Sequence, residues 1–73
     1  MATINISFSC GEPGAIYDVE ISTATSSVGS GSVPAEGGHL NYDDSHGDNY
    51  YASTSGRSGS FYKGASSVNI NLC

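Results

Sequence analysis

The densest group of side chains that could do chemistry lies between residues 43 and 49. Carboxylate and carboxamide oxygens beside a flexible glycine, here Gly47, are the hard ligands that calcium prefers. However, the spacing differs from that of an EF-hand loop, and the closing bidentate glutamate is missing. We therefore expect no metal or other cofactor, and interpret the segment as a polar hairpin loop whose Asp and Asn side chains stabilise their own turns.

Catalysis is the next possibility, because His39 and His46 stand among many serines and seven acidic residues. A hydrolytic site needs a nucleophile, a base and a group that orients the base. The sequence contains no nucleophile elbow, no metal-binding helix motif and no phosphate-binding glycine loop. A domain of this size also has little concave volume from which to exclude water. We predict that the protein is not an enzyme.

The tyrosines of the second half of the chain suggest binding instead. Tyr50 and Tyr51 are adjacent, so on a strand one faces the core and the other faces solvent. Either Tyr42 and one of this pair fill a core short of large residues, or at least one tyrosine lies at a recognition surface, where tyrosine is enriched. The predicted binding surface consists of Asp43, Asp44, His46, Asp48, Asn49, Tyr50, Tyr51 and Arg57.

The two cysteines, Cys10 and Cys73, bear on stability and on the cellular compartment. A chain of 73 residues with ten glycines and no tryptophan has a small core, and such chains usually need a covalent link. An even cysteine count in a short chain is typical of a disulfide, which over most of the chain contributes about 4 kcal/mol in the chain-entropy model. The alternative is two free thiols in a cytosolic protein; we favour the disulfide and a secreted protein.

The net charge of −5, with only Arg57 and Lys63 as cations, argues against two classes of partner. Nucleic acids and anionic membrane surfaces both require a basic patch, and no apolar run is long enough to span a bilayer. Met1-Ala2-Thr3 does not begin a signal peptide. We therefore expect a mature secreted domain that carries an added Met1, rather than a cytosolic protein.

Period-two alternation predicts the elements that hold these residues. Residues 3–10 and 16–25 are expected to form an antiparallel hairpin around a type II turn at residues 11–14, with Cys10 on the core face and Cys73 on the outward face. Further strands are expected at 28–33, 39–42, 50–54 and 67–73, with a short strand or bridge at 60–63 and a turn at 55–59. The prediction is one all-β domain over residues 1–73, an antiparallel sandwich or barrel of approximately six strands with one disulfide.

The Asn5-Ile6-Ser7 triplet on the first strand matches the N-glycosylation acceptor pattern. The alternation places Asn5 on the outward face. By itself the triplet does not decide between functions.

One segment, residues 32–40 (SVPAEGGHL), followed by Ser45-His46 and by residues 50–55 (YYASTS), resembles the ToxB-like, or MAX, effectors, which are small secreted toxins of plant-pathogenic fungi. The resemblance covers the central part of the chain. It implies two small β-sheets, a cysteine link from an early strand to a later position, and a host protein as target. This chain departs from the two-disulfide pattern of such toxins, because it has only Cys10 and Cys73.

Together these observations favour a secreted, non-enzymatic effector or toxin that recognises a protein of a host or competitor. Contact would use an exposed strand edge, by β-augmentation, or the tyrosine-rich loops. Two alternatives are a lectin-like carbohydrate-binding domain that uses Tyr50 or Tyr51 with Asp48 and Asn49, and a hydrolase inhibitor that presents the loop 43–49. Lys63 is the only lysine available to discourage pairing of the polar strand edges between molecules. We therefore expect either a monomer or an edge-strand dimer.

Overall fold

The computed structural model describes residues 2–73, which form seven β-strands and no helix. The strands are β1 (Ala2–Ser9), β2 (Ile16–Ser22), β3 (Ser27–Pro34), β4 (Gly38–Tyr42), β5 (Asn49–Thr54), β6 (Arg57–Tyr62) and β7 (Ser67–Asn71). The predicted all-β class is confirmed, with one strand more than the approximate six. Within these residues no helix is available to cross a membrane.

The strands form two sheets that pack face to face. Sheet A has the order β4-β1-β7, and sheet B has the order β3-β2-β5-β6. All neighbouring strands are antiparallel except β1 and β7, which are parallel. The chain therefore forms a small sandwich that is antiparallel apart from this one pair.

The predicted hairpin of the first two strands is wrong, because β1 belongs to sheet A and β2 to sheet B. The type II turn between them is present one residue later than predicted, over residues 12–15: the Ala15 amide donates to the Glu12 carbonyl at 3.0 Å, and Gly14 has φ +82°. Alternation shows which face of a strand is buried, but it does not identify the neighbouring strand. The turn thus carries the chain from one sheet to the other.

The inward-facing residues of both sheets form one core, as their alternation predicts. Aliphatic side chains fill most of it: Ile4, Ile6, Val19, Ile21, Val33, Leu40, Val68 and Ile70. Three aromatic rings, those of Tyr42, Tyr50 and Phe61, contact one another with centroids 5.1–5.7 Å apart. Edge-to-face and stacked aromatic contacts of this kind supply a large buried area in a chain without tryptophan.

The two sheets also approach each other at their sides, where β3 lies against β4 and β6 against β7. A Cβ on Gly29 of β3 would lie 2.7 Å from the backbone oxygen of Asn41, and one on Gly59 of β6 would overlap the backbone oxygen of Asn69. Glycine is therefore required by the close approach of two backbones. The Gly/Ser-rich segment is a strand, as predicted, and at Gly29 and Gly59 the edge strands of sheet B lie against the backbone of sheet A.

The β5–β6 hairpin is tighter than the predicted turn at residues 55–59. Ser55 and Gly56 have φ values of 51° and 77°, which is the pattern of a two-residue type I′ turn. Thr54 consequently pairs with Arg57, and β6 begins there rather than at residue 60. The short strand expected at residues 60–63 is the second half of β6.

The disulfide between Cys10 and Cys73 is confirmed, with the two Cα atoms 5.6 Å apart. It closes the end of the parallel pair β1–β7, where the Leu72 amide donates to the Ser9 carbonyl at 3.0 Å. The placement of Cys10 on the core face is wrong. Its φ of 63° interrupts the alternation of β1 and turns the residue outward, so that both cysteines are exposed.

Candidate functional site

The loop between β4 and β5 is organised by Asp43, as its polar composition predicts. The Asp43 carboxylate accepts hydrogen bonds from the Ser45 amide at 3.0 Å and the Ser45 hydroxyl at 2.6 Å. The same carboxylate lies 3.1 Å from Nε2 of His46. The Ser45 hydrogen bonds, and to a smaller extent His46, lower the pKa of Asp43. Asp43 therefore serves to hold this loop in shape.

The hydroxyl of Ser45 and the imidazole of His46 are not paired with each other in this loop. Ser45 and His46 both bond to the one carboxylate of Asp43, whereas a nucleophile would have to bond to its base. Within residues 2–73 no group of three or more His, Cys, Asp or Glu side chains is arranged to hold a metal ion.

Tyr50 supports the loop from below and is not part of its surface. Its side chain is 0% exposed, and its hydroxyl donates to the Gly47 carbonyl at 2.8 Å and accepts from the His46 amide at 3.3 Å. The prediction of Tyr50 as a surface residue is therefore corrected: it is the inward member of the Tyr50–Tyr51 pair. A further bond, from the Lys63 amide to the Asp48 carbonyl at 2.8 Å, ties the loop to the turn after β6.

Tyr42 is the second buried tyrosine, and its environment differs from that of Tyr50. Within residues 2–73 no group meets hydrogen-bond geometry with its buried hydroxyl, although the backbone of Gly64 lies close enough to lower the pKa of Tyr42 in part. Burial first, and then the Asp44 carboxylate, raises the pKa of Tyr42. Tyr42 thus fills the core, and Asp44 lies close enough to influence it.

Two tyrosines are exposed on the outer face of sheet B. Tyr51 is 39% exposed and Tyr62 is 72% exposed. Tyr51 pairs with Ser60 and Tyr62 pairs with Asn49, so the two tyrosines are diagonal neighbours on one face. An open groove of about 340 Å³ runs along them. We call Asn49, Tyr51, Ser60 and Tyr62 the tyrosine surface.

A second hollow, of about 270 Å³, adjoins the tyrosine surface at Tyr51. It is lined by residues 23–25 of the β2–β3 turn and by residues 46–49. Thr23 fixes this turn, because its hydroxyl accepts from the amides of Thr25 and Ser26 at 3.3 and 3.1 Å. The hollow is therefore enclosed by two loops that are each held by their own hydrogen bonds.

The structure brings together only part of the predicted surface. Five of the predicted residues line the hollow or the groove, four with exposed side chains (His46, Asp48, Asn49 and Tyr51) and one, Tyr50, from beneath it. Arg57 lies at the opposite end of the β5–β6 hairpin, five residues from Tyr62 along β6, or about 17 Å in an extended strand. Asp43 and Asp44 border neither cavity.

Sequence reasoning left Tyr62 and the β2–β3 turn out of the predicted surface. For Tyr62 a signal existed, because alternation with the apolar Phe61 indicates that the two side chains face opposite ways. Residues 23–25 approach the loop 46–49 only through the pairing of β2 with β5. That pairing could not be inferred from local pattern.

Known proteins provide no guide to this site. No protein-family model matches the chain, and no curated protein and no solved structure matches it either. The functional interpretation therefore depends on the geometry of the tyrosine surface.

Proposed function

We propose that this chain is a secreted, non-enzymatic binding protein of the effector or toxin type, and that it recognises a protein partner through the tyrosine surface. The observation that carries the proposal is the pair of exposed tyrosines, Tyr51 and Tyr62, side by side on a rigid sheet. Tyrosine provides a large contact area with few rotatable bonds, and it is enriched among the residues that dominate binding energy. Secretion is supported by the disulfide, which forms and persists in oxidising compartments.

The same geometry favours recognition by a sheet face over recognition by a sheet edge. At Gly29 and Gly59 the edge strands of sheet B already touch the backbone of sheet A. β-Augmentation needs a free row of backbone groups on an edge strand. The outer face of sheet B, in contrast, is open along its whole width.

Charge near the tyrosine surface indicates the character of the partner. Asp18 and Glu20 are exposed on the same face of sheet B, and Asp48 lines the adjoining hollow. With a net charge of −5, the protein would attract a partner with a basic surface and repel an acidic one. We therefore expect a partner that presents Lys or Arg beside an apolar patch.

Carbohydrate binding is the second candidate, and it is favoured by the hollow next to Tyr51. There an exposed aromatic ring adjoins the carboxamide of Asn49 and the hydroxyl of Thr25. A sugar ring can stack on an aromatic face while its hydroxyl groups bond to such polar side chains. This candidate differs from the first in the ligand class, although it uses part of the same surface.

A photocrosslinking experiment tests the proposal directly. A photoreactive phenylalanine analogue is placed at position 51 or, as the matched control, at the exposed Asn41 of sheet A. Each variant is exposed to extracellular proteins of candidate host or competitor organisms. We expect a discrete adduct with one protein from position 51 and none from position 41. Equal adducts from both positions would contradict the assignment of binding to sheet B.

The identified protein is then titrated against purified variants. Tyr51→Ser and Tyr62→Ser should each weaken its affinity by about 30-fold, since residues that dominate an interface contribute about 2 kcal/mol or more. Asn41→Ser should leave the affinity unchanged. If the protein titration is insensitive to both tyrosines while a glycan array shows Tyr51-dependent binding, the carbohydrate candidate replaces the first.

A further inference from the structure

The outer face of sheet A is made of small, uncharged polar side chains. Its members are Thr3, Asn5, Ser7 and Ser9 of β1, His39 and Asn41 of β4, and Ser67, Asn69 and Asn71 of β7. In the described part of the chain no carboxylate, lysine or arginine belongs to this set. The acidic residues lie in turns and loops or on sheet B: Glu12, Asp18, Glu20, Glu36, Asp43, Asp44 and Asp48. We call the nine side chains the uncharged face.

Asn5 lies in the middle of the uncharged face and differs from the other asparagines there. It is exposed on the central strand β1, between His39 on β4 and Ser67 on β7. The other three asparagine side chains have structural hydrogen bonds with Thr3, with Ser7 and Ser9, and with the Cys73 amide. Within residues 2–73 the Asn5 carboxamide makes no such bond. Among these residues the Asn5 side chain therefore contributes no hydrogen bond that holds the fold together.

The sequence around Asn5 gives this free carboxamide a role. Asn5-Ile6-Ser7 is an N-glycosylation acceptor triplet. We propose that Asn5 is an N-glycosylation site of the secreted protein and that the attached glycan covers the uncharged face. This inference depends on the proposed secretion, through a eukaryotic route, but not on the identity of the partner of the tyrosine surface.

The modification is a transfer from a polyprenyl-diphosphate-linked oligosaccharide, catalysed by the transferase of the secretory route. The amide nitrogen of Asn5 forms a bond to the anomeric carbon of the first sugar. The bond from that carbon to the diphosphate oxygen breaks, and the diphosphate leaves with the electron pair. The amide proton passes to a base of the transferase, so the reaction needs no oxidant or reductant.

The topology keeps Asn5 available for this reaction while the chain is being made. A transferase needs the triplet as free chain, and β1 becomes enclosed only when β7 pairs with it. β7 is the last strand in sequence, and the disulfide needs Cys73, the last residue of this chain. At about 5–20 residues per second, roughly 3–12 s separate the synthesis of β1 from that of β7.

The folded structure also accommodates the product. A glycan at Asn5 meets only short side chains with hydroxyl, carboxamide or imidazole groups, such as Thr3, Ser67 and His39. Sugar hydroxyls can bond to these groups without removing any charged group from water. The tyrosine surface lies on the other sheet and remains free.

Secretion from a eukaryotic host tests the proposal. The full chain is expressed behind a host signal peptide, and its intact mass is measured before and after treatment with peptide-N-glycosidase. We expect one glycan per molecule in the unmodified sequence. Asn5→Gln and Ser7→Ala should carry none, whereas Ser7→Thr and the matched control Asn69→Gln should carry one.

Two results would overturn the proposal: a secreted protein with the mass of the bare polypeptide, or a glycan that persists in Asn5→Gln. For the position of the glycan, amide chemical shifts of the glycosylated protein are compared with those of Asn5→Gln. Differences should be confined to β1, β4 and β7, and differences centred on sheet B would contradict coverage of the uncharged face. Binding through the tyrosine surface is measured on unglycosylated protein, so the failure of either proposal is recognised separately.

Discussion

The outer faces of the two sheets are built on the same alternation but differ in chemical character. Sheet A presents hydroxyl and carboxamide groups that mostly bond to one another, as Thr3 does to Asn41. Sheet B presents Asp18, Glu20 and two exposed tyrosines. Because outward positions do not contribute to the core, their residue types are not dictated by the fold. The face for which we propose recognition thus differs in chemical character from the face for which we propose a glycan.

A second contrast lies beneath the two faces, where each sheet contributes one fully buried tyrosine. Tyr50 of sheet B has both a donor and an acceptor for its hydroxyl, and it shapes the loop beside the tyrosine surface. Tyr42 of sheet A has a buried hydroxyl for which residues 2–73 provide no hydrogen-bond partner. The two rings are in contact, so similar burial has different energetic consequences on the two sides of one core.

The largest expected effect comes from the disulfide, which joins two strands of sheet A only. Replacing both Cys10 and Cys73 by Ser should lower the free energy of unfolding by about 4 kcal/mol, since the unfolded chain regains its freedom. Denaturant unfolding measures the loss. Native-state hydrogen exchange should accelerate most in β1 and β7, and equal acceleration in sheet B would show that the two sheets do not differ in this respect.

The next effect concerns the sides where the sheets meet. Gly59→Ala should destabilise the protein by about 1–3 kcal/mol, because the new Cβ would overlap a backbone oxygen. Gly31→Ala is the matched control: its Cβ would meet only the end of the Leu40 side chain, which can move. Unfolding midpoints in denaturant compare the two. Similar losses for both would contradict the rigid contact of β6 with β7.

The buried tyrosines allow a test of the contrast inside the core. Tyr42→Phe removes a hydroxyl without a partner and should stabilise the protein by about 1 kcal/mol. Tyr50→Phe breaks two hydrogen bonds and leaves the Gly47 carbonyl without its donor, so it should destabilise by about 1 kcal/mol. Thermal and denaturant unfolding of the two variants should therefore shift in opposite directions; shifts of the same sign would remove the distinction.

Alkaline pH provides a further test of Tyr42. Its pKa is raised in the folded state, chiefly by burial, above the ordinary value of 10.0. The raised pKa of Tyr42 adds to the free energy of unfolding in full below pH 10. This addition is lost as the pH rises through the folded-state pKa, because the unfolded chain gives up the proton first. Tyr42→Phe should show a smaller loss of stability than the unmodified protein as the pH rises above about 10. Identical pH profiles would contradict this assignment.

The smallest effect is expected in the loop between β4 and β5. The pKa of Asp43 is lowered, chiefly by its hydrogen bonds with Ser45. The ionised Asp43 therefore adds to the free energy of unfolding above the ordinary pKa of 3.8, and this addition is lost as the pH falls through the folded-state pKa. The amide resonances of Ser45 and His46 should move in that range. In Asp43→Asn, which keeps an acceptor but does not titrate, they should stay fixed. Movement in the variant as well would assign the transition to another group.

The sequence was sufficient to predict most of the strands and the core residues, but not which strands pair with each other. Alternation of short polar and branched apolar residues marks Ile4, Ile6, Val19 and Ile21 as core, because a half-buried strand exposes every second residue. The same alternation does not show that β1 pairs with β7, since the two strands are separated by most of the chain. Contacts at such long range depend on the packing of the whole domain.

The candidate site was also only partly predictable, because alternation shows which side chains of a strand face inward but not which loops lie close together. Ala52 shares the parity of Tyr50, which indicates that Tyr50 is the inward tyrosine, but the prediction did not decide which of Tyr50 and Tyr51 faces solvent and therefore included both. The position of Arg57 depends on the two-residue turn at Ser55 and Gly56. The whole length of β5 separates Arg57 from the loop 43–49, because this turn lies at the opposite end of the strand.

The disulfide has a consequence for how the molecule is held together. The covalent ring that it closes runs from Cys10 to Cys73 and contains β2 to β7. The central strand of sheet A, β1, lies outside this ring. The disulfide therefore fixes β7 to the point where β1 ends, whereas β1 itself is kept in the sheet by its pairing with β4 and β7 and by the packing of Ile4 and Ile6 in the core.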